Sequence, residues 1–418
     1  MVLARLNPLL MLIVLVTTTV IAESESPDGF NASRLSRIDG AINREIAAGK
    51  IAGAVALVSK DGEIAYHKAF GYADIASQTS MKIDAIFRIA SMTKAITSVG
   101  AMILYERGHF QLNDPISKFL PGFKNPEVVI DFNEAGEVIE TRPAAREISI
   151  SDLLTHSSGI SYKFMPQPLQ RSYQLGGVID GLTAGDVELK EGIDRLAEQP
   201  LLFDPGDQFA YGLNTDVLGY LVEVISGKSL DQFFQDEIFE PLGMNDTYFY
   251  LPMDKAKRLV TLYAEVDGLQ VSDGTEADIE LDNPRYPIEG ARKYFSGGAG
   301  LSSTAYDYFR FLEMLRADGH LDGVRVISRK SVELMRTAKV GFDWFPGASF
   351  GLGFAIIEDL GTRGEIGSVG SYSWGGAFNT AFWVDPSERL VGIFMAQVRP
   401  YTSDISYRFQ TAVYQALE

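Results

Sequence analysis

Apolar residues recur at helical spacing between Ser33 and Ala48, at Leu35, Ile38, Ala41, Ile42 and Ile46, and Gly49 is placed to stop that helix. Two strand-like runs follow, Ala54 to Ser59 and Glu63 to Phe70, and the Asp61-Gly62 pair between them predicts a hairpin turn. A helix is expected from Ser91 to about Glu106, with Ile96, Val99, Met102, Ile103 and Tyr105 apolar and Gly108 ending it. From His109 to about Arg292 the pattern breaks into short helical stretches and turns, with a polar excursion at residues 125–146 and few convincing strands. Helical spacing returns from about Ala305 to Arg316. Strand patterns then follow at Phe354 to Ile357, Thr380 to Asp385 and Leu390 to Ala396, and a last helix from about Ser403.

This order predicts an α/β (α+β) architecture, an antiparallel sheet flanked by helices and built from both ends of the chain, with a mainly helical insert. The expected boundaries are a discontinuous sheet domain of residues 23–108 and 293–418 and an insert of residues 109–292. A chain of 418 residues exceeds what one core usually organises, and a site at the seam with the insert would be natural.

Residues 1–22 follow another pattern, a single Arg5, an apolar run from Leu9 to Val16, then small and β-branched residues before acidic Glu23. That is the layout of a cleaved secretory signal of bacterial type, with an uncleaved anchor as the alternative. The expectation is export to the periplasm or the medium, with no membrane span once the signal is removed. The chain has no cysteine, which excludes thiol nucleophiles, Cys-ligated zinc and lipid attachment through cysteine. A net charge of -18 without a Lys/Arg stripe argues against a nucleic-acid partner.

The candidate chemistry begins at "RIASMTKAITS", Arg88 to Ser98. Residues i and i+3 share a helix face, so Lys94 projects beside Ser91, near the helix start where backbone N–H groups are free. A serine attacks only when something takes its proton, and a buried amine can do so or support another base. Taken alone the pair reads first as an N-cap and a solvated helix residue, because Ser-x-x-Lys is common.

Five further segments change that balance: "LLTHSSGI" from Leu153, "FAYGLNTDVLGYLVEVISGKSL" from Phe209, "PLGMNDTYF" from Pro241, "GGAGLSSTAYDYFRF" from Gly297 and "WGGAFNTAFWVDP" from Trp374. Together with the Ser91 segment, and in this order, the chain resembles the penicillin-recognising serine hydrolases, above all class C β-lactamases and family VIII carboxylesterases. The resemblance covers roughly Ser33 to Gln397. It implies Ser91 as nucleophile and Tyr211, assisted by Lys94, as the base that passes the proton to the leaving group. It also implies backbone N–H groups of Ser91 and Ala377 as an oxyanion hole, a Trp374-Gly375-Gly376 edge along which substrate lies, and no cofactor.

The chain departs from the β-lactamase pattern at two points. Leu213 stands where an Asn is expected two positions after the tyrosine, with Asn214 one place later, either as cap of the following helix or, with Leu213, as a substrate contact. Trp374 stands where β-lactamases carry a lysine, which removes one anchor for a lactam carboxylate. Arg399 is expected at the solvated surface, with a positive charge near the pocket as the alternative, and His156 in a structural turn.

Other signals are weaker. The four histidines lack metal-ligand spacing, and "SGKS" at Ser226 lacks the first glycine of a phosphate loop. Ser349 in "GASFG" fits the nucleophile-elbow string but follows Pro346 and precedes no helix, so it is expected in a loop. The sequence therefore points to an acyl-enzyme serine hydrolase, foremost a carboxylesterase for small or medium acyl esters. A β-lactamase, D,D-peptidase or D-aminopeptidase is the alternative, and a non-catalytic binding protein the remaining one. The partner is a small-molecule ester or amide.

Overall fold

The computed structural model describes residues 29–165, 168–274, 285–341 and 345–418, so the expected signal segment lies outside the described residues. Helix α1 (Arg37–Ala47) leads into strands β1 (Gly53–Lys60), β2 (Glu63–Asp74) and β3 (Thr79–Ser80), followed by helix α2 (Thr93–Glu106). After the central region, which holds helix α3 (Asn214–Ser226), come helix α4 (Ala305–Arg316) and strands β4 (Val340–Gly341), β5 (Ala348–Phe350) and β6 (Ala355–Ile357). Strands β7 (Tyr372–Gly376), β8 (Thr380–Asp385) and β9 (Leu390–Met395) and helix α5 (Ile405–Tyr414) close the chain.

The nine strands form one sheet in the order β4-β5-β6-β7-β8-β9-β1-β2-β3, antiparallel at every pairing. Alternate residues of a strand point to opposite faces, and here both faces are covered. Val55 and Leu57 of β1 enter a core shared with α2 and α4, whereas Ala54, Ala56 and Val58 enter a second core under α1 and α5. Strand β9 divides likewise, Val391, Ile393 and Met395 to the inner core and Leu390 and Phe394 to the outer one. The inner core continues without a break into the central region through Leu153, Ile160, Val217 and Leu221.

No strand of the central region joins this sheet among the described residues. The polar excursion nevertheless folds as a hairpin, Glu127–Phe132 against Val138–Pro143. Only Val128 of the first strand is fully buried, so the apolar alternation that would have announced it is weak. Ser349 lies within β5 rather than in a loop, its hydroxyl donating to Glu358. Among the described residues no helix is long and apolar enough to cross a membrane.

Candidate active site

The Ser91 turn is held from both sides. Arg88 is buried, and donates to the carbonyls of Tyr286 at 2.6 Å and Val260 at 3.1 Å, while its backbone N–H donates to Gln397 at 2.9 Å. Ala90 then takes φ of 42°, the left-handed region that a residue with a Cβ disfavours by about 1–2 kcal/mol. The chain turns through a short 3-10 segment, Ala90–Met92, and enters α2. Tyr308 donates to the Met92 carbonyl at 2.8 Å, and Thr93 Oγ1 accepts from Leu301 N–H at 3.1 Å. These bonds keep the strained turn in place, with Ser91 Oγ at the cleft floor.

Lys94, one turn on, is 1% exposed. An ammonium has three protons to donate, and three acceptors surround it. Lys94 Nζ donates to Ser91 Oγ at 3.1 Å, to Tyr162 Oη at 2.9 Å and to the Gly298 carbonyl at 2.8 Å. Gly298 is set by Asp216 of α3, whose Oδ1 accepts from Ser296 Oγ at 2.5 Å and Gly298 N–H at 3.3 Å. A Cβ on Gly298 would meet Asp216 Oδ2 at 2.2 Å, so only glycine fits between that carboxylate and Lys94. Burial raises the Asp216 carboxyl above its ordinary range, and the nearby Lys94 charge opposes that.

Tyr211 completes the group, its Oη donating to Ser91 Oγ at 2.6 Å. Lys94 Nζ lies 4.6 Å from the Tyr211 ring centroid. Gly212 lets the Tyr211 turn pack onto residues 160–161, since a Cβ there would meet the Ile160 carbonyl at 2.2 Å. Ser91, Lys94 and Tyr211, expected together from the sequence, thus lie in one cluster.

Tyr162 is the member sequence reasoning missed. It is 3% exposed, packs edge-on to Tyr211 with centroids 5.3 Å apart, and stacks on Phe164 at 4.6 Å. Burial holds its phenol well above the ordinary range, followed in weight by Tyr211 and Asp216, so it stays neutral beside Lys94.

Strand β7 forms the opposite wall. Its neighbour β6 registers only against Tyr372 and Ser373, so the backbone of residues 374–376 borders the cleft. Gly376 packs directly on the Ser91 turn, where a Cβ would meet the Ile89 carbonyl and Thr380 Oγ1, each at 2.3 Å. Ala377 follows at once and lines the same cleft as Ser91, Gly375 and Gly376. Trp374 Nε1 donates to Tyr211 Oη at 3.4 Å, with the rings 5.5 Å apart. The cleft encloses about 420 Å³, and Phe164, Met165 and Phe345 give it an apolar lining beside Trp374.

Leu213 and Asn214 do not reach it. Leu213 is 1% exposed in the inner core and Asn214 is fully buried. Asn214 is the first residue of α3 rather than its cap, and its amide bridges Ser158 Oγ at 2.5 Å and His156 Nδ1 at 3.1 Å. An amide saturated inside the protein is not available to substrate. His156, buried against Tyr211 and Phe350, is pushed well below its ordinary range by burial first and Lys94 second, and so stays neutral. Arg399 is not a solvated surface residue, since it is half-buried, lines the cleft, and donates to the Ala377 carbonyl at 3.5 Å. This is the less favoured of the two placements that the sequence left open for it.

Known proteins share this arrangement of elements. The family model described as Beta-lactamase matches residues 38–415. The chain is 36% identical over 372 residues to Protein Rv1367c of Mycobacterium tuberculosis, covering 84% of this chain and 87% of that one. It is 32% identical over 379 residues to Esterase EstB of Burkholderia gladioli, covering 87% and 91% respectively. Among solved structures, EstCE1, described as a hydrolase with promiscuous acyltransferase activity, matches with a TM-score of 0.80 at 29% identity, over 91% of this chain and 99% of that one. By sequence over most of its length and by fold, the chain belongs to the beta-lactamase family.

Proposed function

We propose that the protein is a serine carboxylesterase for small or medium acyl esters that works through an acyl-enzyme on Ser91. The observation that carries this is the contact of one hydroxyl with two proton-handling groups, Ser91 Oγ lying 2.6 Å from Tyr211 Oη and 3.1 Å from Lys94 Nζ. In this reading Ser91 Oγ attacks the ester carbonyl, and its proton passes to the Tyr211 oxygen, which enters the step as phenolate beside the Lys94 ammonium. The carbonyl oxygen becomes an oxyanion facing the N–H groups of Ser91 and Ala377. Tyr211 then returns the proton to the departing alkoxide, and water releases the acyl group by the same steps in reverse order.

Two features favour an ester over a lactam. Trp374 offers an indole in place of a cation, and the Asn214 amide is turned inward, so neither supplies the polar contacts a lactam's carboxylate and side-chain amide would use. The names of EstB and EstCE1 lend the same support. Hydrolysis of p-nitrophenyl butyrate compared with a chromogenic cephalosporin tests the reading. A clearly higher kcat/KM on the ester is expected, and equal or higher efficiency on the cephalosporin overturns it.

The reading includes export, with residues 1–22 removed as a signal. An N-terminal sequence of the secreted or periplasmic protein beginning near residue 23 is the expected outcome.

A further inference from the structure

Another carboxylate, the half-buried Asp180, lies outside the Ser91 cluster and reaches it through the backbone. Its oxygens accept the N–H groups of Lys163 at 2.9 Å and Phe164 at 3.1 Å. These are the two residues after Tyr162, whose hydroxyl meets Lys94 and whose ring Phe164 covers. Phe164 and Met165 then line the cleft. One short segment therefore has three attachments, Tyr162 on Lys94, two amides on Asp180, and an apolar lip beside Ser91. Asp180 itself borders a separate cavity of about 440 Å³ with Lys163, Gln174 and Leu182.

Burial pushes the Asp180 carboxyl up to about 6, against the pull of the two N–H groups and the Lys163 charge. The groups whose charge it feels or influences are Lys163 on the clamped segment, Asp216 on α3, and the phenols of Tyr162, Tyr173 and Tyr294. The folded protein thus binds this proton more tightly than the unfolded chain does. Any stability linked to the group is present below the ordinary carboxylate range and is lost as pH rises toward 6. Above that range the folded state holds the ionised side chain less favourably than its protonated form.

We propose that Asp180 is a positioning residue of this esterase, its carboxylate clamping the amides of Lys163 and Phe164 so that Tyr162 stays on Lys94 and the Phe164–Met165 lip stays over the cleft. The inference rests on the esterase reading, and its test separates the two.

Kinetics of the full chain on p-nitrophenyl butyrate between pH 4.5 and 8.5, with thermal melts, would compare wild type with Asp180→Asn and Asp180→Glu. Asp180→Asn is expected to lower kcat/KM by roughly 10- to 100-fold at pH 7.5, the scale of a small misplacement. It should also lose the part of the acid limb centred near pH 6, and melt no lower than wild type at pH 7.5. Asp180→Glu keeps a carboxylate and should retain that limb. Wild-type kcat/KM with an unchanged limb in Asp180→Asn, or a rate loss matched by a lower melting temperature or failure to fold, overturns the inference. Undiminished hydrolysis by Ser91→Ala in the same assay would instead overturn the esterase reading, whatever Asp180→Asn does.

Discussion

On the outer face of the sheet, α1 and α5 lay Ile38, Ile42, Phe409 and Val413 over Ala54, Ala56, Val58 and Phe394. The polar groups buried there end in local pairs, Glu45 with Ser403 and Arg408, and Asp385 with Tyr414. On the inner face the buried polar groups converge. Asp216 sets Gly298, Gly298 and Tyr162 hold Lys94, and Lys94 and Tyr211 both meet Ser91 Oγ. A buried polar group is destabilising unless it is hydrogen-bonded, and the groups named on each face have such partners. The difference is that the inner network ends on an atom open to a cleft, whereas the outer pairs end on each other. Chemistry is expected on one face and stability alone on the other.

Three substitutions would break or sharpen that contrast. The largest effect on activity is expected from Tyr211→Phe, which removes the proton acceptor. It should lower kcat on p-nitrophenyl butyrate by about 10²- to 10⁴-fold, the range of general-base catalysis. Tyr162→Phe removes one of three acceptors around Lys94 without touching Ser91. A loss of roughly 10- to 100-fold, mainly in kcat, is expected, with a fall in stability of about 1–3 kcal/mol from the unsatisfied ammonium. Phe409→Ala on the outer face should destabilise by about 3–5 kcal/mol in chemical denaturation. Its activity per folded molecule should stay within about twofold of wild type, because distant sites act independently. Loss of turnover in folded Phe409→Ala would erase the distinction between the faces.

Local chemistry that repeats along the chain was legible beforehand. The Asp61-Gly62 hairpin, the helix after Ser91 and the strands from Thr380 and Leu390 follow from spacing that each segment carries itself. Ser91 and Lys94 are three residues apart, so a helix alone joins them. Tyr211 needed the family resemblance, since nothing across a separation of 120 positions says that it returns to Ser91.

Tyr162 and Asp180 sit in irregular segments with no period to read, and their contacts with Lys94 and the 163–164 amides are made by the fold. Asn214 was misplaced for a related reason. A polar residue at a helix start reads as a cap or a contact, whereas here it bridges Ser158 and His156 inside the core.

The central claim is that Ser91 is the nucleophile. Incubation with a serine-directed fluorophosphonate, followed by intact mass and peptide mapping, tests it most directly. One adduct is expected, on the peptide that carries Ser91, and none on Ser91→Ala. An adduct on another serine, or an unchanged adduct on Ser91→Ala, would contradict the account.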